Sequence, residues 1–129
     1  METGDELAEG LNRFAIEQEL SAASFKAVGA FSSVRLGWFR GEYKKYEPSV
    51  QLNEQIELLS LIGDVARKDG EPQVHAPAVI GKKDRRTHGG HLFEGHIRPT
   101  CKVVLLESPA HLQKRIKTDF GLALIMPRV

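Results

Sequence analysis

Three of the five histidines, His75, His91 and His96, fall in two short apolar segments, Gln73–Ile80 and His91–Ile97, on either side of a basic, glycine-rich loop. Imidazole binds metals, carries protons near neutral pH and donates or accepts hydrogen bonds. The two segments read as the outgoing and returning strands of a hairpin. Side chains alternate across a strand, so His91 and His96 face opposite ways, whereas His75 shares a face with position 77. With His91 on that same face, two imidazoles converge. Zinc takes three or four ligands from His, Cys or carboxylates. His75 and His91 supply two; His88, in the loop, is the candidate third, and a neighbouring subunit could lend His96 or Glu94. The competing reading is a metal-free histidine pair, hydrogen-bonded in or near a subunit interface.

The loop offers a second chemistry. Lys82-Lys83-Asp84-Arg85-Arg86-Thr87-His88 places four cations together, which suits sequence-blind contact with nucleic-acid phosphates. No helix-turn-helix, zinc finger or AT-hook core is present to read base edges. Nor is there a nucleophile elbow, phosphate loop, His-Glu-x-x-His or dinucleotide fingerprint, so no catalytic residue is assigned. Glu57 and Glu94 would be the acid/base candidates if either lay beside the histidines. The formal charge of +1 hides an asymmetry: residues 1–64 carry net −5 and residues 65–129 net +6. Such halves can pair with each other or with another subunit.

These groups need a frame. At 129 residues and 41% hydrophobic, the chain suits a single domain spanning 1–129, with 108–129 as a C-terminal extension. The acidic start and the lack of a long apolar run place it in the cytoplasm, with no membrane partner. The single Cys101 precedes Val103-Val104-Leu105-Leu106 and reads as a buried structural thiol. Thr3-Gly4-Asp5-Glu6 offers an N-cap for an amphipathic helix over about Asp5 to Glu19, with Leu7, Leu11, Phe14, Ala15 and Leu20 on one stripe. Strands are expected at Phe25–Ala30, Ser33–Phe39, Tyr43–Tyr46, Gln55–Ala66, Lys102–Glu107 and Leu122–Met126, although periodicity alone also allows a helix over Gln55–Ala66. Internal Gly29 and Gly37 mark bulges or close approaches. Glu47-Pro48-Ser49 and Arg67–Pro72 read as turns, Gly89-Gly90 as a turn closure at positive φ, and Ser108–Asp119 as a solvent-facing stretch. The fold class is α+β: one main helix packed on a mixed, largely antiparallel sheet.

Taken in order, Ser24-Phe25-Lys26-Ala27-Val28-Gly29-Ala30-Phe31-Ser32-Ser33-Val34-Arg35-Leu36-Gly37, then Glu57-Leu58-Leu59-Ser60-Leu61-Ile62-Gly63, then His75 and Gly89-Gly90-His91-Leu92 resemble the PPC domain. This plants-and-prokaryotes-conserved domain is often associated with DNA binding. The resemblance covers about residues 3–107 and implies a homotrimer whose subunits meet along their sheets, with Glu57, Ser60 and His96 as interface candidates. It also implies a His-x-His plus Gly-Gly-His cluster that holds zinc in some members, and a fold relationship to zinc-dependent acetolactate decarboxylase. Here Pro77 replaces the second histidine of His-x-His, so no cofactor is expected, zinc being the one exception the cluster suggests. Lys102 stands where many relatives carry glutamate, and Glu54–Leu59 lacks the arginine of the plant partner-binding hexapeptide. The strand that precedes the Gly-Asp/Glu turn in the family is expected to be missing before Met1, which would leave a bare sheet edge.

Overall fold

The computed structural model describes residues 1–108 and 113–126. Its helix, α1 (Leu7–Glu17), starts one turn later than the polar signal suggested, because Glu6 supplies the cap. The Glu6 carboxylate accepts from the N–H groups of Ala8 and Glu9 at 3.0 and 2.7 Å, and also from Gly95 N–H at 2.7 Å. Thr3, the expected cap, instead donates its hydroxyl to the carbonyl of Pro99. Leu7, Leu11 and Ala15 are buried, while Phe14 lies on the flank.

Two expected strands are one. β1 (Ala22–Arg40) runs through both glycines, with register shifts at Ala27/Gly29 and Leu36/Gly37 that absorb irregularity without ending the ladder. At Gly29 a Cβ would lie 2.5 Å from the carbonyl oxygen of Thr100, so only glycine permits that approach.

β2 (Lys45–Leu52) contains Glu47-Pro48-Ser49, read above as a turn. Pro48 sits opposite Gly37 on an edge strand, where its missing N–H costs no inner ladder bond. The chain reverses instead at residues 41–44.

β3 (Ile56–Lys68) is the central strand that its apolar run implied. The expected strand Gln73–Ile80 is interrupted at Ala76, giving β4 (Glu71–His75) and β5 (Pro77–Gly81). The Ala76 carbonyl turns away to accept from Leu92 N–H at 2.9 Å, and Pro77 has no N–H to continue the ladder.

β6 (Thr87–Glu107) merges the expected return strand with Lys102–Glu107. Gly89 and Gly90 close no turn: they pair with Val79 and Ala78 inside β6, and neither has a positive φ. Glycine is needed at 90 because a Cβ there would be 2.6 Å from the Gly37 carbonyl oxygen.

The sheet order is β2-β1-β6-β5-β3-β4, all antiparallel, and a further β1–β3 pairing returns the sheet to its start. β1, β6, β5 and β3 therefore close a ring. Phe25, Phe31, Leu36, Ile56, Leu58, Leu61, Ile80 and Ile97 form the core with α1, and Cys101 lies there at 1% exposure, its thiol pKa raised by burial.

The edge expected to be bare is lined over part of its length. Glu2 bridges Thr100, Gly4 N–H donates to the Ile97 carbonyl and Cys101 N–H to the Met1 carbonyl. The last hairpin is β7 (Lys114–Lys117) and β8 (Leu122–Ile125); residues 115–119 are exposed, as a solvent-facing segment requires, and Lys114 departs from that reading by being buried. Residues 109–112 of that segment lie outside the described residues. No helix among the described residues is long and apolar enough to cross a membrane.

Candidate functional site

β3, β4 and β6 bring two imidazoles of the hairpin region, His75 and His91, together at the sheet surface. His75 ends β4 opposite Asp64 of β3, and His91 pairs with Pro77 between β6 and β5. Their ring centroids are 5.3 Å apart with an interplanar angle of 27°. Tyr46 of β2 stacks on the other face of His91 at 4.4 Å, and Phe93 meets the same ring edge-on at 5.6 Å. Three rings thus form a column, Tyr46–His91–His75.

At the His75 end, Asp64 Oδ2 lies 3.4 Å from Nδ1, and Lys114 Nζ lies 3.1 Å from Asp64 Oδ1. Burial works to raise the Asp64 pKa, but the His75 hydrogen bond and the Lys114 charge outweigh it and hold the carboxyl below its ordinary value. An ionised Asp64 accepts from His75 Nδ1–H. The His91 pKa is lowered, first by burial and then by the charges of His75 and Lys114. His91 is therefore neutral at pH 7, and among the described residues its buried Nδ1 has no hydrogen-bond partner. A cavity of about 660 Å³ opens over the column, lined by Trp38, Phe39, Tyr46, Ile62, Val79 and both imidazoles.

The remaining candidates do not join this pair. His88 pairs with buried Ile80, whereas His91, three residues on in the same strand, pairs with exposed Pro77; the two imidazoles are on opposite faces. His96 Nε2 lies 2.6 Å from Glu94 Oε1, and Arg35 lies 3.5 Å from Oε2 of that carboxylate. The Glu94 pKa is held low, first by the hydrogen bond with His96 and then by Arg35, so Glu94 belongs to a separate surface cluster. Glu57 is exposed opposite Ala30 and Gly81, and only Ser60 of the three interface candidates lines the cavity. Among the described residues, no group of three or more His, Cys, Asp or Glu could hold a metal ion. Two imidazoles beside an ammonium do not fit zinc within one chain.

The basic turn is tighter than the loop expected. Residues 82–86 reverse the chain, closed by Lys82 N–H to the Arg86 carbonyl and Arg85 N–H to the Lys82 carbonyl, each at 2.9 Å. Two of its four cations are engaged: Lys82 lies 3.0 Å from Glu54, and Arg86 Nε donates to Asp84 at 2.7 Å. That hydrogen bond holds the Asp84 pKa low. Lys83 and Arg85 are exposed and, among the described residues, pair with no carboxylate.

Asp64, Tyr46 and Lys114 were not singled out from sequence. Asp64 carried a signal, as the one carboxylate in the second half of an apolar strand. Lys114 carried none, because its burial depends on a hairpin docking 50 positions away from Asp64 in sequence.

The chain matches the family model of the Plants and Prokaryotes Conserved (PCC) domain over residues 1–109. It belongs to this family, the PPC domain. A PPC protein of Pyrococcus horikoshii is 32% identical, with a TM-score of 0.89 and coverage of 100% of this chain and 89% of that one. The metal-containing protein of Archaeoglobus fulgidus is 31% identical, with a TM-score of 0.87 and coverage of 98% and 89%. A candidate DNA-binding protein of Ralstonia eutropha JMP134 shares the PPC fold at 21% identity, with a TM-score of 0.90 and coverage of 99% and 88%. The comparison with curated proteins gives no match. The β7–β8 hairpin, and with it Lys114, follows the residues that match the PPC model.

Proposed function

We propose that this PPC-domain chain is a non-enzymatic, cytoplasmic, homotrimeric protein with a DNA-associated regulatory role, touching phosphates through the Lys82–Arg86 turn. The observation that carries the reading is the pair of exposed cations, Lys83 and Arg85, at a hairpin tip and in no ion pair among the described residues, the intervening Asp84 being paired with Arg86. Lys82 and Arg86 contribute less, since each shares its charge with an acid. The name of the Ralstonia relative points the same way.

Self-association is supported by the outer face of the sheet. Lys26 is flanked across the ladder by Ile62 and Val104, and Val28 and Leu106 are exposed beside them. A face of this kind favours a partner surface. A trimer formed there, with Glu57, Ser60 and His96 at its contacts, presents the basic turn three times. Fluorescence anisotropy on a labelled duplex tests the role: replacing all four cations with Ser should abolish binding at moderate salt, and unchanged affinity refutes it.

A second reading is favoured by the cavity of about 660 Å³ over the ring column. It makes the histidine pocket a small-molecule site completed by a neighbouring subunit. Ligand-observed NMR with His91→Ala checks it: compounds that still bind this variant with unchanged affinity exclude the pocket.

A further inference from the structure

A second cavity, about 420 Å³, lies between the ring column and the C-terminal hairpin, and Lys68, Gln73, His75, His91, Asp64 and Lys114 all face it. Lys114 is 7% exposed. A buried ammonium is costly unless an acceptor offsets it, and among the described residues Asp64 is the acceptor paired with it. Asp64 also lies 3.4 Å from His75, so one carboxylate serves two donors. Lys68 adds a second positive charge to the same wall and Gln73 an amide donor. The wall therefore carries two ammonium groups, Lys68 and Lys114, against the single carboxylate of Asp64.

The hairpin that carries Lys114 is fastened in three places. Gln113 bridges Arg67, Lys114 pairs with Asp64, and Lys44 Nζ donates to the Thr118 carbonyl at 2.7 Å. The chain has thus placed a fixed cation beside a pair of histidines that does not fit zinc. An ammonium in a low-dielectric wall attracts an anionic oxygen and repels a dication.

We propose that this cavity binds a small organic anion, a carboxylate or a phosphate, held by Lys114 with His75, Gln73 and Lys68 as further donors. The inference rests on the second reading in treating the histidine pocket as a ligand site. It goes beyond that reading by naming the ligand charge and the residue that selects it.

Isothermal titration calorimetry on the full chain, with inorganic phosphate, benzoate and neutral benzyl alcohol as probes, tests it. At least one anion should bind, and benzyl alcohol should bind at least about tenfold more weakly than benzoate. Tighter phosphate binding assigns a phosphate ligand, and tighter benzoate binding a carboxylate. Lys114→Met should weaken the anion at least about tenfold. Asp64→Asn should strengthen it, because the ammonium loses its internal competitor. The double variant, Lys114→Met with Asp64→Asn, removes both charges without stranding either, so lost binding in that folded protein also supports the proposal. Equal loss in Asp64→Asn and Lys114→Met would reduce Lys114 to a structural role and overturn it. Benzyl alcohol binding as well as benzoate would overturn the anion inference and leave the pocket reading standing. No binding by any of the three probes would overturn the anion inference, while the larger cavity of the second reading keeps its own test with His91→Ala.

Discussion

Pro77 faces His91 directly across the β5–β6 pairing, so the two side chains share one side of the sheet. A histidine at 77 would stand beside both His91 and His75, where three imidazoles could serve one metal. Protein purified without a His-tag should carry under about 0.1 zinc per chain, and Pro77→His should raise zinc uptake toward one, with loss again on His91→Ala. Near-stoichiometric zinc in the unaltered chain would contradict the expectation of a metal-free pair.

His91 makes stability depend on pH in a definite direction. Its folded pKa is lowered, chiefly by burial and then by the charges of His75 and Lys114. Above the unfolded value of about 6.5, both states are neutral and the group contributes nothing. As pH falls below that value the unfolded chain takes a proton and the folded chain does not, so stability drops until the folded pKa is passed. Urea midpoints at about pH 8 and about pH 5.5 should differ more for the unaltered chain than for His91→Phe, which keeps a ring in the column. Equal differences would mean that His91 is not desolvated.

The meeting of His75 and His91 was legible because period-2 alternation and a basic turn between two apolar runs confine the geometry. The details that escaped are long-range. Gly29 and Gly37 were readable as irregular points, but whether β1 ends or bulges there depends on the strands alongside it. Pro48 looked like a turn residue because nothing local tells a turn from an edge strand with a bulge. Gly89-Gly90 reads locally as a turn, yet what position 90 requires is clearance from the Gly37 carbonyl in another strand. Lys114 read as solvent-facing since its charge has a partner only when the last hairpin is docked.

The outer apolar face should govern assembly. Ile62 and Leu106 are 69% and 68% exposed. Ile62→Lys with Leu106→Glu should shift sedimentation velocity toward the monomer while leaving circular dichroism unchanged, because neither side chain belongs to the core. An unaltered oligomer distribution would move the subunit contact to another surface.

Gly63 should tolerate no side chain. A Cβ there would lie 2.4 Å from the carbonyl oxygen of His75 and 2.4 Å from the ring of Phe25. Gly63→Ala should cost about 1–3 kcal/mol in denaturant unfolding and broaden or shift the His75 ring resonances, since β4 must move away from β3. A loss within about 0.5 kcal/mol would mean that the β3–β4 contact is looser than its geometry.

The most direct test of the account is the salt dependence of duplex binding. Each phosphate contact adds about 0.9 to the slope of log K against log salt. Lys83→Ser with Arg85→Ser should lower that slope by about two for each turn engaged on the DNA, whereas Lys82→Ser with Arg86→Ser should change it less. Binding that is insensitive to salt, or a slope that the Lys83/Arg85 pair does not alter, would contradict a phosphate-contacting role for this turn.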